Sequence, residues 1–389
     1  MSLISRRKFI CSMGTAAVGA GGALVAYQLA REAEPASPVV ASGDEHQAAE
    51  GFVREAMHYA TLEEKKVECK LCPRACTVAP RERGYCGVRE NRDGKYVTLV
   101  YGRACSANID PIEKKPLFHF LPGARAFSIA TAGCNIECKF CQNWEISQFR
   151  PEQIHSTHLP PEILVPEVKS RGIESIAFTY SEPVIFYEYM FETARLAKEK
   201  GVKSVMISNG YIQEKPMREL CQHLDAVKID LKAFTEKFYA EMCSGKLQPV
   251  LDTLKLLRAQ KMWFEIVVLI IPTLNDSADE ITRMCTWIHD NLGPNVPIHF
   301  SRFHPTYKVK NLPPTPVSTI TRARDIAMQT GINFAYVGNV PGHEGESTYC
   351  PGCKKILVRR LGYRIDNVAI RKGSCAYCGR LIPGVWASS

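Results

Sequence analysis

Between residues 126 and 339 the chain alternates short apolar runs with longer amphipathic runs. The amphipathic runs predict helices such as those over 184–200 and 278–291. The apolar runs predict strands that begin near Phe127, Ser175, Val202, Ala226, Trp263, Ile298 and Phe334. Strands that alternate with helices are typical of a parallel sheet with crossover helices. Six or so such units are too few for a full eight-stranded barrel. The pattern therefore predicts an α/β fold built on a partial (β/α)6 barrel over residues 123–340.

Composition narrows the functional class. The chain has 389 residues, more than one typical domain, and its 46% hydrophobic content is enough for a large core. Its net charge of +9 is spread along the chain without a basic stripe interleaved with aromatic residues, so nucleic-acid binding is not indicated. The 16 cysteines fall in short-spaced clusters, which indicates metal ligation rather than a disulfide framework.

A central cysteine loop follows the first predicted barrel strand. Cys134, Cys138 and Cys141 lie there with Cys-x3-Cys-x2-Cys spacing. In barrel folds the loops past the carboxyl ends of strands carry the chemistry. Three thiolates suit a 4Fe-4S cluster in which one iron has no protein ligand and can chelate a small molecule. The alternatives are a zinc ion or a redox disulfide, with His119 or His155 as the fourth ligand.

A second group of cysteines precedes the barrel, in a module over residues 51–122. Cys69, Cys72, Cys76 and Cys86 are close enough in sequence to form a complete shell for zinc or for an iron–sulfur cluster, and Cys105 could join or replace one of them. The proline and glycine residues beside them favour the tight turns of ligand loops. Metal binding is predicted here, but the spacing does not choose the metal.

A third group lies in the C-terminal module, over residues 341–389. Cys350, Cys353, Cys375 and Cys378 form two Cys-x2-Cys knuckles, with short strands predicted between them. This arrangement predicts a tetrahedral zinc site of the zinc-ribbon type, with rubredoxin-like iron as the second choice. A module this small needs the metal for its folding energy.

The central loop, with Phe140 directly before its last cysteine, resembles the signature of radical S-adenosylmethionine (SAM) enzymes. The resemblance implies a 4Fe-4S cluster on the three cysteines, with SAM on the open iron. It also implies that one electron cleaves SAM to a 5′-deoxyadenosyl radical, which abstracts hydrogen from a substrate. The alternatives are a multi-cluster electron carrier without SAM chemistry and an interaction protein with metal-stapled ends.

Polar residues follow several predicted strands and resemble the cofactor-binding motifs of this family. Thr-Tyr-Ser-Glu-Pro resembles its Gly-Gly-Glu-Pro motif without the two glycines, and Asp-Leu-Lys resembles that of glycyl-radical activating enzymes. The candidate cofactor-binding residues are Glu182, Ser208, Asn209, Asp230, Lys232 and His304. Each could instead be a polar strand end or a helix cap. The charged run over 110–120 is expected to be a solvated linker rather than part of the active-site mouth.

Over residues 69–386 the order of the motifs resembles the radical enzymes of the AmmeMemoRadiSam system, relatives of the pyruvate formate-lyase activating enzyme. The motifs on which this resemblance rests include Cys-Lys-Leu-Cys-Pro-Arg-Ala-Cys and Cys-Gln-Asn-Trp-Glu-Ile-Ser. The resemblance implies a low-potential electron donor of the flavodoxin or ferredoxin type, and Memo-like and AMMECR1-like proteins as partners. It implies radical chemistry on a protein or small-molecule substrate.

The first 50 residues predict a leader and linker. Ser5-Arg6-Arg7-Lys8-Phe9 and the mildly apolar stretch that follows resemble a twin-arginine export signal. Residues 32–50, rich in Pro, Ala, Ser and acids, read as a flexible linker. The protein is therefore expected to be exported or anchored on the periplasmic side. Because SAM and low-potential reductants are cytoplasmic, retention in the cytoplasm is the alternative.

Overall fold

The computed structural model describes residues 51–387. The predicted export signal and linker lie outside these residues. The first strands of the described chain are short: β1 Arg54–Glu55, β2 Tyr59–Thr61, β3 Val67–Cys69, β4 Thr77–Val78, β5 Arg89–Arg92, β6 Lys95–Thr98 and β7 Arg103–Ala104. Six of them form two antiparallel sheets, ordered β1-β6-β5 and β2-β3-β4.

An eight-stranded sheet forms the centre of the fold. Its strands are β8 Ser106–Pro111, β9 Arg125–Ala130, β11 Ser175–Phe178, β12 Lys203–Ser208, β13 Ala226–Asp230, β14 Phe264–Ile270, β15 Ile298–Arg302 and β16 Ala335–Gly338, while β10 Thr157–His158 pairs with β7 outside it. The strand order is β16-β15-β14-β13-β12-β11-β9-β8. All neighbours from β9 to β16 are parallel, and β8 adds an antiparallel edge. The predicted partial barrel is confirmed, with each predicted strand in place.

Helices connect the parallel strands. They are α1 Trp144–Ser147, α2 Pro161–Ser170, α3 Tyr187–Lys200, α4 Glu214–Leu220, α5 Glu236–Cys243, α6 Gln248–Ala259, α7 Ala278–Leu292 and α8 Val317–Gln329. Short 3-10 turns lie at Glu63–Lys65, Ile112–Lys114, Pro151–Gln153, Pro183–Phe186 and Glu344–Glu346. Side-chain caps fix where some of the helices begin. At the start of α7, for example, the Ser277 hydroxyl accepts a hydrogen bond from the Glu280 N–H. None of the helices in residues 51–387 has the length and apolar character needed to span a membrane.

A plug segment, residues 112–121, closes the amino end of the barrel lumen. Its buried side chains Ile112, Leu117 and Phe120 pack against inward residues of β9, β11, β12 and β13. Glu265 on β14 fastens it, because its carboxylate accepts the backbone N–H groups of Phe118 at 3.0 Å and His119 at 2.7 Å. The buried His299 ring lies 2.7 Å from the same carboxylate.

The C-terminal module consists of β17 Thr348–Tyr349, β18 Ile356–Leu361, β19 Arg364–Val368, β20 Ile370–Arg371 and β21 Ser374–Cys375. β17, β18 and β19 form an antiparallel sheet, and β20 pairs with β21. The module packs on the plug: buried Arg360 donates to the Phe118 carbonyl at 2.8 Å, and its guanidinium stacks over the Phe118 ring. The turn after β18 carries Tyr363 to the rim of the barrel lumen.

Candidate active site

A cavity of about 380 Å³ occupies the carboxyl end of the barrel lumen and is called the central cavity below. Cys134, Cys138 and Cys141 all line it. Their sulfur atoms do not all lie within 4.8 Å of one another, a spacing that among residues 51–387 only the C-terminal cysteines reach. One zinc ion needs sulfurs about 3.8 Å apart, from a Zn–S bond of about 2.3 Å. In a 4Fe-4S cluster each thiolate binds a different iron, so the wider spacing fits such a cluster.

The cysteine loop, residues 134–141, is held by its neighbours on both sides. Asn135 is buried and donates to the Tyr211 carbonyl at 2.7 Å. The Glu137 N–H donates to the Cys243 carbonyl at 2.9 Å, and the Lys139 N–H donates to the Met242 carbonyl at 2.9 Å. The Cys141 sulfur lies 3.1 Å from the Ser147 hydroxyl. Main-chain anchoring of this kind holds the three thiols in place before any metal binds.

Glu182 is a buried carboxylate at the wall of this cavity. Its oxygens accept the Ser208 hydroxyl at 2.6 Å, the Asn209 N–H at 2.8 Å and the Val184 N–H at 3.1 Å. Burial raises the pKa of this carboxyl to about 7, although the three hydrogen bonds oppose the shift. A carboxylate in such a place favours a cationic ligand, because the ligand's charge would offset the cost of burying the anion.

Three inward residues of β13 and the loop after it form a charged row. Lys228, Asp230 and Lys232 alternate along the strand, so that all three face the lumen and line the cavity. Asp230 pairs with Lys228 on one oxygen and with Lys232, 3.0 Å away, on the other. Burial alone would raise the pKa of Asp230, but the two ammonium groups hold it at about 2. The row therefore carries one cation in excess.

The charged run after β8 belongs to the cavity, and its prediction as a solvated linker is wrong. Asp110 is buried, accepts from Lys115 Nζ at 2.6 Å and Lys114 Nζ at 2.7 Å, and accepts from the Tyr180 hydroxyl. Burial lowers the pKa of Lys115 to about 8, although Asp110 opposes the shift. Lys114, Lys115 and Tyr180 line the central cavity. The two ammonium groups offset the buried charge of Asp110, whereas the buried Glu113 carboxyl accepts, within the described chain, only the Gly123 N–H, at 3.0 Å.

The structure brings most of the predicted cofactor-binding residues together. Glu182, Asn209, Asp230 and Lys232 line the central cavity, whereas Ser208 lies behind Glu182 as its hydrogen-bond donor. His304 is exposed on the loop after β15 and is not among the lining residues.

Neither histidine considered as a fourth ligand lines this cavity. His119 is buried at the plug, between the Pro383 carbonyl at 2.7 Å and the Tyr336 hydroxyl at 2.6 Å. His155 is exposed.

Several cavity residues escaped the sequence analysis. Lys228 could have been found, since it precedes Asp230 by two positions and must face the same side of the strand. Tyr363 also lines the cavity. No local signal marks Tyr363, which comes from a module that is distant in sequence.

The C-terminal cysteines form a compact four-sulfur group. The ligand atoms of Cys350, Cys353, Cys375 and Cys378 all lie within 4.8 Å of one another. The sulfurs of Cys350 and Cys378 are 3.6 Å apart, and those of Cys353 and Cys375 are 3.7 Å apart. A tetrahedral zinc site needs about 3.8 Å, so the geometry fits one zinc ion.

The N-terminal cysteines line a separate cavity. Cys69, Cys72, Cys76 and Cys86 all contribute to it, together with Asn135 from the central loop. Cys105 does not line this cavity and lies between β7 and β8.

Comparison with known proteins agrees with this site. The family model of the Radical SAM superfamily matches residues 128–285, which include the cysteine loop and the cavity strands β11 to β14. An uncharacterized protein of Methanocaldococcus jannaschii is 44% identical over 332 residues, spanning 85% of this chain and 99% of the relative. The pyruvate formate-lyase-activating enzyme of Clostridium pasteurianum is 24% identical over 173 residues, which cover 43% of this chain and 70% of the enzyme.

The chain is also similar to solved structures, at low sequence identity. A radical SAM methyltransferase from Sphaerobacter thermophilus matches with 15% identity and a TM-score of 0.46, covering 61% of this chain and 71% of that one. The sequence matches therefore show that the chain contains a radical SAM domain, which is homologous to pyruvate formate-lyase activating enzymes.

Proposed function

We propose that the chain is an enzyme that reductively cleaves SAM at a 4Fe-4S cluster held by Cys134, Cys138 and Cys141. One observation carries the proposal. The central cavity combines three thiols, spaced for a cluster rather than one ion, with a buried acid and a lysine that suit the two charged ends of SAM. When bound, the cluster would supply one electron to the sulfonium of SAM and so release a 5′-deoxyadenosyl radical that abstracts hydrogen from the substrate.

The chain's own residues would bind and orient SAM. Glu182, held by three hydrogen bonds, would accept from the methionyl ammonium group. Lys232, which shares Asp230 with Lys228, would pair with the methionyl carboxylate. The Asn209 amide donates to the Asn135 side chain at 2.8 Å, which ties a cofactor-binding residue to the cysteine loop.

The alternative, a multi-cluster electron carrier, is less well supported. A carrier needs its cluster close to the surface and has no use for a cavity of about 380 Å³ beside the ligands. That volume falls within the range of small-molecule sites, roughly 300–1,000 Å³.

We propose a protein or peptide as the substrate, with a small molecule as the alternative. The support is that two exposed side chains, the aromatic Tyr363 and the cation Lys114, are among the residues that line the cavity. Membership of the AmmeMemoRadiSam type, with Memo-like and AMMECR1-like partners, is part of this proposal. So is a low-potential donor of the flavodoxin or ferredoxin type.

The test of SAM cleavage is anaerobic reconstitution with iron and sulfide, followed by dithionite and SAM. We expect 5′-deoxyadenosine from the wild-type protein and none from Cys138→Ala; the control is Cys285→Ala, a buried cysteine of α7 outside the cavity. No 5′-deoxyadenosine from cluster-loaded wild-type protein would favour the carrier.

The substrate is tested with fully deuterated candidate partners. Deuterium in 5′-deoxyadenosine identifies a protein that donates hydrogen. If a small metabolite donates deuterium and no protein does, the protein-substrate proposal is wrong.

A further inference from the structure

The N-terminal cysteine cavity is a second buried site that the SAM reaction itself does not use. Four thiols converge on it, from β3, from the turn after it and from the loop before β5. The lining cysteines are Cys69, Cys72, Cys76 and Cys86. Four cysteines are a full ligand set both for zinc and for an iron–sulfur cluster, so the geometry has to decide between them.

The spacing of the sulfurs separates the two metals. Within residues 51–387, only the C-terminal cysteines bring three or more ligand atoms within 4.8 Å of one another. The four N-terminal thiols therefore face one cavity without the close approach that a single zinc ion requires. A 4Fe-4S cluster needs such a spread, because its four thiolates bind four different iron atoms. The same chain thus holds one four-cysteine site sized for zinc and one that is wider.

The wall of the N-terminal cavity carries a buried N–H group that has no acceptor among the described residues. Arg89 lines it, is 1% exposed, and pairs on one nitrogen with the buried carboxylate of Glu188. Another of its nitrogens, Nε, is buried and has no hydrogen-bond partner. A buried N–H without an acceptor is costly, and a cluster sulfur beside it would supply one. Hydrogen bonds to sulfur and low solvent exposure are the features that set cluster potentials.

The two cysteine sites share a wall. Cys134 lines the central cavity, and the next residue, Asn135, lines the N-terminal cysteine cavity. Arg74, between Cys72 and Cys76, donates its Nε–H to the Asn135 carbonyl. Gly133 lets the cysteine loop approach Cys86 closely: a Cβ there would lie 2.8 Å from the Cys86 carbonyl oxygen, and the residue has φ of +101°. One peptide unit of the cysteine loop therefore separates the two cavities.

We propose that the N-terminal cysteine cavity holds an iron–sulfur cluster that passes electrons one at a time to the central cluster. A low-potential protein donor would be oxidised by one electron as the N-terminal cluster is reduced. That cluster would then be reoxidised as the central cluster is reduced. The step transfers one electron and involves no bond breaking and no proton transfer. The relay step rests on the proposed function, whereas the identity of the metal does not.

The metal is tested first, without any use of SAM. A variant with Cys134, Cys138 and Cys141 all changed to Ala is reconstituted anaerobically, and its iron, sulfide and zinc are counted. We expect roughly four irons with matching sulfide, one zinc from the C-terminal site, and an electron paramagnetic resonance signal on reduction. Adding Cys76→Ala, at a half-buried ligand, should remove the iron; adding Cys285→Ala should not. Zinc in place of iron, or iron that survives both Cys76→Ala and Cys86→Ala, would overturn the assignment.

The relay is tested with Cys76→Ala in the otherwise intact chain. Its folding is checked by circular dichroism and by retention of the C-terminal zinc. We expect reduction of the central cluster by reduced flavodoxin to be lost and reduction by dithionite, which is small enough to enter the central cavity, to be retained. Equal rates with flavodoxin in variant and wild type would overturn the relay. If wild-type protein loads both clusters yet makes no 5′-deoxyadenosine, the proposed function fails while the second cluster stands.

Discussion

Under the proposed function, the raised pKa of Glu182 makes SAM binding depend on pH in a range where few other groups of the site titrate. The carboxyl is 2% exposed and has a pKa of about 7, whereas the ordinary value is 4.5. Under the proposed function it must be ionised to accept the methionyl ammonium. Binding should therefore strengthen as pH rises through 7 and weaken below it.

The magnitude follows from the fraction of protein that carries the ionised acid. The apparent dissociation constant scales with the reciprocal of that fraction. With a pKa of about 7, the constant should be about 15-fold larger at pH 5.5 than at pH 7.0, or about 1.6 kcal/mol. No histidine lines the cavity in the described chain, the pKa of Asp230 is about 2, and that of Lys115 is about 8. Glu182 is thus the titrating residue in this window.

The assay is equilibrium binding of SAM to cluster-loaded protein from pH 5.5 to 7.0. Glu182→Gln keeps the size of the side chain and removes the charge, so its affinity should be lower at pH 7.0 and nearly flat with pH. Glu241→Gln, at an exposed position of α5, is the control and should follow the wild type. A wild-type constant that changes less than about threefold over the range, or an unchanged slope in Glu182→Gln, would refute the reasoning.

Four further outcomes are expected. Alanine at any one cysteine of the central loop should abolish SAM cleavage, and cleavage at the wild-type rate in one variant would reject that residue as a ligand. Cys353→Ala should release zinc and lower the melting temperature without changing central-loop iron in the folded protein; equal loss of that iron would contradict this. Glu265→Ala removes the acceptor of His299 and of two buried backbone N–H groups, and it should lower the free energy of unfolding by about 3–5 kcal/mol in chemical denaturation; a loss below about 1 kcal/mol would argue that Glu265 does not hold the plug in place. Arg6→Lys with Arg7→Lys should leave full-length, cluster-loaded protein in the cytoplasm, and fractionation that finds the wild type uncleaved in the cytoplasm would discard export.

The barrel could be predicted from sequence because its strands are buried on both faces. β14, for example, is an almost unbroken apolar run, and it is buried along nearly all its length. Parallel strands covered by helices leave this mark in the sequence. β8 leaves no such mark, since its residues are mostly exposed until Asp110 and it forms the antiparallel edge.

The site could be predicted where chemistry is local and not where it depends on pairing in space. Cys134 and Asp230 stand at strand ends and could be found from the motif and the register. Lys115 could not, because its burial depends on Asp110 and on the plug, which only the folded chain brings together. His304 shows the converse, since a strand end is no guarantee of a place in the cavity.

The plug has a kinetic consequence. Residues 112–121 fill the amino end of the lumen, so under the proposed function SAM and a second substrate would enter from the carboxyl end. A large substrate bound over that end would block the cofactor's route in and the route out for 5′-deoxyadenosine and methionine. Turnover should then follow a compulsory order, in which SAM binds before the second substrate and 5′-deoxyadenosine is released last. The nucleoside and methionine together would then compete with SAM and not with the second substrate.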